Sequence, residues 1–83
     1  MQRSSPFLNI KVTDQDNSEV HFKIRMNTKL VKVFAAFCTR KALDEDSVRF
    51  LFKGQRMAPY HTGESWDMED GDEIQAMMEQ MGD

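Results

Sequence analysis

An α+β fold, with one amphipathic helix packed across a mixed β-sheet, is what the order of hydrophobic periods in this chain predicts. Three observations carry it. Two stretches near the N-terminus alternate apolar and polar residues with period 2, the following stretch switches to a helical period, and the second half returns to period 2. The chain has 83 residues, enough for one domain and too few for two. A core of that size has to come from an economical plan such as one sheet on one helix.

Met1 to Pro6 is polar and reads as a flexible lead-in, which the domain plan extends to residue 7. Leu8, Ile10 and Val12 then alternate with Asn9, Lys11 and Thr13, the mark of a strand with one buried face. Asp14-Gln15-Asp16-Asn17-Ser18 is a run of turn formers whose side chains bond their own backbone. Val20, Phe22 and Ile24 alternate with His21, Lys23 and Arg25, so the two strands form a hairpin. Leu30, Val33, Phe34, Phe37, Cys38 and Lys41 next fall at i, i+3, i+4, i+7, i+8 and i+11, a helical stripe. Thr28 is expected to cap the helix N-terminus, and Arg40 and Lys41 suit its negative end.

Asp44 to Ser47 interrupts the helix, and Val48, Phe50 and Phe52 resume the alternation. Lys53-Gly54-Gln55 turns the chain into a brief strand at Arg56-Met57. Residues 58–66 read as irregular connection, and Gly71 as a turn. Glu73 to Met78 is the last strand, with Ile74, Ala76 and Met78 expected inward, before a polar tail over 79–83. The order ββαβ(β)β, with a right-handed crossover through the helix making a later strand parallel to one of the first pair, is the β-grasp plan. The domain is expected to span residues 8–78.

Charge is distributed in two poles. The net value of −3 comes from 11 basic and 14 acidic residues. Residues 20–43 hold six basic side chains and no acid, whereas residues 64–73 hold six acids and no base. Such poles steer partners of opposite sign. A single cysteine excludes an intrachain disulfide, and no segment has the length of a bilayer span or the apolar run of a signal peptide. The expectation is a soluble monomer that does not engage a membrane.

Catalytic and metal readings fail on the residues. Asp14-x-Asp16-x-Ser18 resembles the start of a calcium loop, but position six is Glu19 instead of glycine and position twelve is Arg25 instead of an acid. Cys38 lies on the apolar stripe of the helix, where cysteine is normally a small core residue. No oxyanion-hole motif or metal-ligand spacing joins it to His21 and His61. The chain is expected to be no enzyme, with no cofactor. Direct nucleic-acid binding is not expected either, because no exposed rings interleave with the basic residues.

A better use of the basic pole follows from the fold. The second hairpin strand and the helix enclose a groove, and a strand at a sheet edge can accept an extended peptide. Val20, Phe22, Val33 and Phe37 supply apolar pockets there, and Lys23, Arg25, Lys32 and Arg40 favour acidic or phosphorylated peptides.

Ile10-Lys11-Val12, Gln15-Asp16, His21-Phe22-Lys23-Ile24 and Thr28-x-Leu30 resemble the small ubiquitin-like modifier (SUMO) family. So do Arg49-Phe50-Leu51-Phe52-x-Gly54-Gln55-Arg56, Tyr60-His61-Thr62 and the run from Asp67 to Ile74. The resemblance runs from about Leu8 to Gly82. It implies a ubiquitin-like modifier of nucleus and cytoplasm, processed by SUMO proteases and passed through activating and conjugating enzymes to substrate lysines. It also implies that SUMO-interacting motifs bind at Val20, His21, Phe22, Lys23, Ile24, Arg25, Lys32, Val33, Phe37 and Arg40. Asp67, Glu69, Asp70 and Asp72 match the face that the family offers its conjugating enzyme.

Departures from the pattern bear on these roles. The family tail ends in Thr-Gly-Gly, whereas Gly82, the expected conjugation residue, is followed by Asp83. A diglycine threads narrow enzyme tunnels that a Cβ would obstruct, and Asp83 brings bulk and charge there. Lys53 stands where the family usually has an acid, Trp66 where it has leucine, and Gly63 where it has proline. The alternative expectation is a SUMO-like domain that recruits partners without being conjugated.

Overall fold

The computed structural model describes residues 7–78; the segments 1–6 and 79–83, including Gly82 and Asp83, lie outside the described residues. Five strands and one helix run in the order β1 (Phe7–Thr13), β2 (Glu19–Arg25), α1 (Val31–Lys41), β3 (Val48–Phe52), β4 (Gln55–Arg56) and β5 (Glu73–Met78). A 3₁₀ turn at Glu45–Ser47 leads into β3. Strand β1 begins at Phe7, which the sequence reading had placed in the lead-in.

The strands form one sheet in the order β2-β1-β5-β3-β4. β1 pairs antiparallel with β2 from Phe7↔Arg25 to Thr13↔Glu19, and parallel with β5 through Lys11↔Glu73 and Val12↔Ile74. β3 is antiparallel to both β5 and β4. The central parallel pair requires a crossover, and α1 lies within it. This is the ubiquitin-like β-grasp fold.

Alternation within each strand sets which side chains meet the helix. Leu8, Ile10 and Val12 of β1, Phe50 and Phe52 of β3, and Ile74 and Ala76 of β5 are buried against Leu30, Val33, Phe34, Phe37 and Cys38. Phe34 stacks on Phe50 with ring centroids 4.0 Å apart and planes within 4°, while Phe37 meets Phe50 edge-on at 5.9 Å. Met57 and Met68, both buried, pin the irregular connection to the same core.

Turn chemistry closes each connection. In the β1–β2 hairpin, Oδ1 of Asp14 accepts from the amides of Asp16 (2.9 Å) and Ser18 (3.1 Å), and Asn17 takes the left-handed φ of 67° that asparagine tolerates. At the β3–β4 turn Lys53 and Gly54 both have positive φ, 52° and 82°, as two-residue hairpin loops demand. The brief strand falls at Gln55–Arg56, one residue earlier than the expected Arg56–Met57. Gly71, at φ 93°, donates its amide to the carbonyl of Asn9 at 2.7 Å and so ties the approach to β5 onto β1.

Two expectations need correction. Thr28 does not cap α1: its hydroxyl accepts from the amide of Arg25 at 3.1 Å, and Leu30 occupies the cap position without a side-chain bond. The open amides of the first turn are met from across the chain, Leu30 by the carbonyl of His61 (2.7 Å) and Val31 by that of Pro59 (2.9 Å). Met78 is 43% exposed instead of inward. It keeps the phase of Ile74 and Ala76, but it pairs with Val48 at the end of the sheet, where it borders an open hollow beside Arg40, Lys41 and Leu43.

Candidate functional site: the β2 edge and the acidic face

β2 is an outer strand. Its one partner among the described residues is β1, so its other margin carries backbone groups available to a further strand. The alternation of β2 turns Val20, Phe22 and Ile24 toward the helix side and His21, Lys23 and Arg25 to the opposite side. Val20 is buried, whereas Phe22 and Ile24 are half-buried and pack at the border of the core.

A shallow hollow of about 300 Å³ lies along this margin, lined by Phe7, Phe22, Lys23, Ile24, Arg25, Thr28, Lys32 and Val33. Six of the ten residues that the resemblance assigned to the groove therefore come together. The other four do not line it. Val20 is buried at the far end of the strand. His21 stands on the outer face, 3.3 Å from Glu19. Phe37 is fully buried, at the centre of the helical stripe, so it supports the floor of the core and cannot touch a ligand without rearrangement. Arg40 lies in the last turn of α1 and borders the separate hollow that contains Asp14, Leu43 and Met78.

Phe7 is the residue that sequence reasoning missed. The cationic groups of Lys23 and Arg25 lie 5.1 Å and 4.7 Å from the centre of its ring, a geometry that orders two long side chains at the groove entrance. Its signal was the register: Phe7 sits directly opposite Arg25 only once β1 and β2 pair from end to end.

The acidic pole folds onto the other end of the sheet. A hollow of about 400 Å³ is lined by Phe52, Lys53, Gln55, Trp66, Asp67, Glu69 and Asp72. Asp70 is not part of it, because its Oδ1 accepts from the backbone amide (2.6 Å) and the side-chain amide (3.0 Å) of Asn9. Asp72 also has a structural task, accepting from the amide of Glu69 at 2.7 Å. Asp67 and Glu69 are exposed, and make no ion pair among the described residues. Lys53 sits in the same hollow with its ammonium 5.2 Å from the Phe52 ring centre.

Trp66 forms the wall between this hollow and the connection. Its ring meets Phe52 and His61 edge-on, at 5.9 Å and 5.4 Å. The indole N–H donates to Nδ1 of His61 at 2.9 Å, and the amide of Ala58 donates to the same atom at 3.0 Å. Nδ1 is thus an acceptor, which puts the imidazole proton on Nε2. This lodges His61 within the loop.

Cys38 is buried in the core, where loss of water, then the charges of Glu45 and Asp44, push its thiol above its ordinary range. Such a thiol is a poor nucleophile. Asp14, the head of the calcium-like run, is already committed to two amides and to Lys41, whose ammonium lies 3.1 Å from its Oδ2. Among the described residues no three histidine, cysteine or carboxylate side chains gather as a metal site, and no helix is long and apolar enough to cross a membrane.

Comparison with known proteins fits this geometry. Residues 8–78 match the family described as Ubiquitin-2 like Rad60 SUMO-like. The ubiquitin-like protein pmt3/smt3 of Schizosaccharomyces pombe is 44% identical over 79 residues, which cover 95% of this chain and 68% of that protein. Small ubiquitin-related modifier 2 of Arabidopsis thaliana is 45% identical over 75 residues, covering 90% of this chain and 73% of that one. A solved ubiquitin, described as Caldiarchaeum Subterraneum Ubiquitin, superposes with a TM-score of 0.82 over 93% of this chain and 99% of its own; at 24% identity it shows the fold alone. On the match over residues 8–78 and the two modifier relatives, the chain belongs to the SUMO family of ubiquitin-like modifiers, which are not enzymes.

Proposed function

We propose that this protein is a SUMO-type modifier that is joined to substrate lysines through its C-terminal glycine tail and read by SUMO-interacting motifs along β2 and α1. The observation that carries the reading is the free margin of β2 beside the Phe22, Ile24 and Val33 hollow, flanked by Lys23, Arg25 and Lys32. An extended peptide with bulky apolar residues would add a strand there, and acids beside them would meet the lysines and arginine. The exposed carboxylates of Asp67 and Glu69 give a conjugating enzyme a negative face, with Lys53 altering its edge. Activating enzyme, SUMO proteases and target proteins complete the set of partners, in nucleus and cytoplasm.

A second reading is a domain that recruits partners along the same β2 margin without being conjugated. Incubation with activating enzyme, conjugating enzyme and ATP, followed by mass spectrometry, separates the two. A thioester with the conjugating enzyme supports the modifier reading. Failure of the protein to charge leaves recruitment alone.

The groove has its own test. Titration with an acid-flanked apolar peptide should shift the amides of 19–25 and 31–33. Phe22→Ala should weaken binding by about 1–2 kcal/mol, as loss of an apolar anchor does. Unchanged affinity in the folded variant would remove Phe22 from the site.

A further inference from the structure

His61 touches two parts of the molecule at once. Its backbone carbonyl accepts from the amide of Leu30 at 2.7 Å, ahead of α1, while its ring holds Trp66 at the acidic hollow. Nδ1 has a single in-plane lone pair, and two donors converge on it, the indole N–H of Trp66 at 2.9 Å and the amide of Ala58 at 3.0 Å. The backbone beside Trp66 is secured independently. Thr62 and Ser65 each accept the other's amide on a hydroxyl, at 3.1 Å and 2.9 Å, and the amide of Met68 reaches the carbonyl of Gly63 at 2.9 Å. Loss of the bonds at Nδ1 would therefore free the indole without undoing the loop. Both rings are half-buried, so a proton can reach the imidazole from solvent. The titratable groups of the surrounding elements are Tyr60, whose ring meets His61 edge-on at 4.8 Å, Glu64 and Asp67 of the same loop, Lys29 at its bridge to Thr62, and Lys53, Glu69 and Asp72 of the hollow. Among the described residues none of these bonds to the imidazole, so Nδ1 answers to its two donors alone.

We propose that His61 is a positioning residue whose hold on Trp66 is released by a proton, and that it thereby regulates the acidic face. The inference rests on the reading of that face as the seat of the conjugating enzyme. A neutral imidazole with its proton on Nε2 accepts at Nδ1, whereas an imidazolium carries a proton on both nitrogens and can only donate. Proton uptake at Nδ1 thus ends the Trp66 and Ala58 bonds together. Both consequences at the hollow have the same sign. The released indole no longer fixes the wall beside Phe52, and a positive charge arrives next to a lining that holds Asp67 and Glu69, against a basic partner. Binding at this face is strongest with His61 neutral and falls on mild acidification.

The test follows the isotope-labelled protein by nuclear magnetic resonance from about pH 7.5 to about pH 5.5, a range above that in which ordinary carboxylates titrate. Trp66 is the one tryptophan of the chain, so its indole N–H gives a single signal. Expected is one midpoint shared by the His61 ring, the indole N–H and the Ala58 amide, with the Leu30 amide, bonded to the His61 carbonyl, unmoved. His21, exposed on β2, is the internal comparison, and its own titration should leave the indole signal alone. The conjugating enzyme is then titrated at both ends of the range against the wild type and Trp66→Phe, which keeps a ring in place and lacks the donor. The wild type should lose about fivefold more affinity on acidification than the variant, the scale of one hydrogen bond. An indole signal that ignores the His61 titration, or equal pH dependence in the two proteins, would overturn the proposal. So would movement of Leu30 with the loop, which would make the event an unfolding of the helix start. Absence of enzyme binding by both proteins at neutral pH would overturn the regulation through failure of the acidic-face reading. The spectra distinguish that case, because the coupling of indole to imidazole would persist in them.

Discussion

Asp14 shows how much one side chain organises. Its Oδ1 holds the hairpin turn through two amides, and its Oδ2 holds Lys41 in the last turn of α1. Burial works to raise the pKa of this carboxyl, but the Lys41 bond and the amides of Ser18 and Asp16 outweigh it and leave the group below its ordinary value. A carboxyl lowered on folding contributes stability that is present above its unfolded pKa of about 3.9 and lost as pH falls through the lower folded value. Thermal unfolding should therefore show a melting temperature that declines from about pH 5 to pH 3. Asp14→Asn keeps an amide acceptor while removing the charge, so it should flatten part of that decline. At neutral pH it should cost only about 0.5 kcal/mol, as suits a partly solvated ion pair. A variant with the wild-type acid profile would show that other carboxylates dominate it.

At the scale of elements, α1 is where local rules and long-range ones part. Ala42 ends the helix in the left-handed conformation at φ 58°, with Ala42 N–H on Thr39 (3.2 Å) and Leu43 N–H on Cys38 (2.8 Å), a Schellman closure. Alanine bears a steric cost there that glycine does not, partly offset by glycine's larger entropy when unfolded. Ala42→Gly should stabilise by about 0.5–1 kcal/mol, a rise of about 3–6 °C in melting temperature for a domain of this size. A fall would mean that the entropy term exceeds the relief of strain. The helix, both hairpin strands and β3 were legible in the sequence because period 2 and period 3.6 are local properties. The helix cap was not. Thr28 has the right side chain at the right place, yet Pro59 and His61, about thirty residues on, supply the carbonyls. The same reason covers the groove. Periodicity gives the angle of Phe37 and Arg40 around the helix, whereas depth and position along the axis decide that one is sealed and the other lies beyond the hollow. Met78 kept its phase and lost its cover, and Phe7 gained its role from a register that neighbours in sequence do not reveal.

Across the whole molecule, the sheet separates charges that the chain keeps in separate segments. The basic pole sits on β2 and α1 at one margin, and Asp67, Glu69 and Asp72 border the hollow beside Phe52 of β3 and Gln55 of β4 toward the other. Lys23 and Arg25 are gathered over Phe7, with Lys32 across the groove and no acid in the lining. An acid-flanked peptide approaching β2 thus meets a field of one sign, whose reach is about 10 Å at 0.1 M salt and about 3 Å at 1 M. Its rim contacts stay solvated, so salt should act chiefly on the rate of association, while the apolar contacts with Phe22, Ile24 and Val33 govern dissociation. Raising salt from about 0.05 M to 0.5 M should slow association several-fold and leave the dissociation rate nearly unchanged, as read by stopped-flow or surface-based kinetics. Phe22→Ala should show the reverse pattern, faster dissociation at an unchanged salt slope. If salt instead accelerated dissociation and left association alone, the cations would be making desolvated contacts inside the groove, and the division between a steering rim and an apolar seat would not hold.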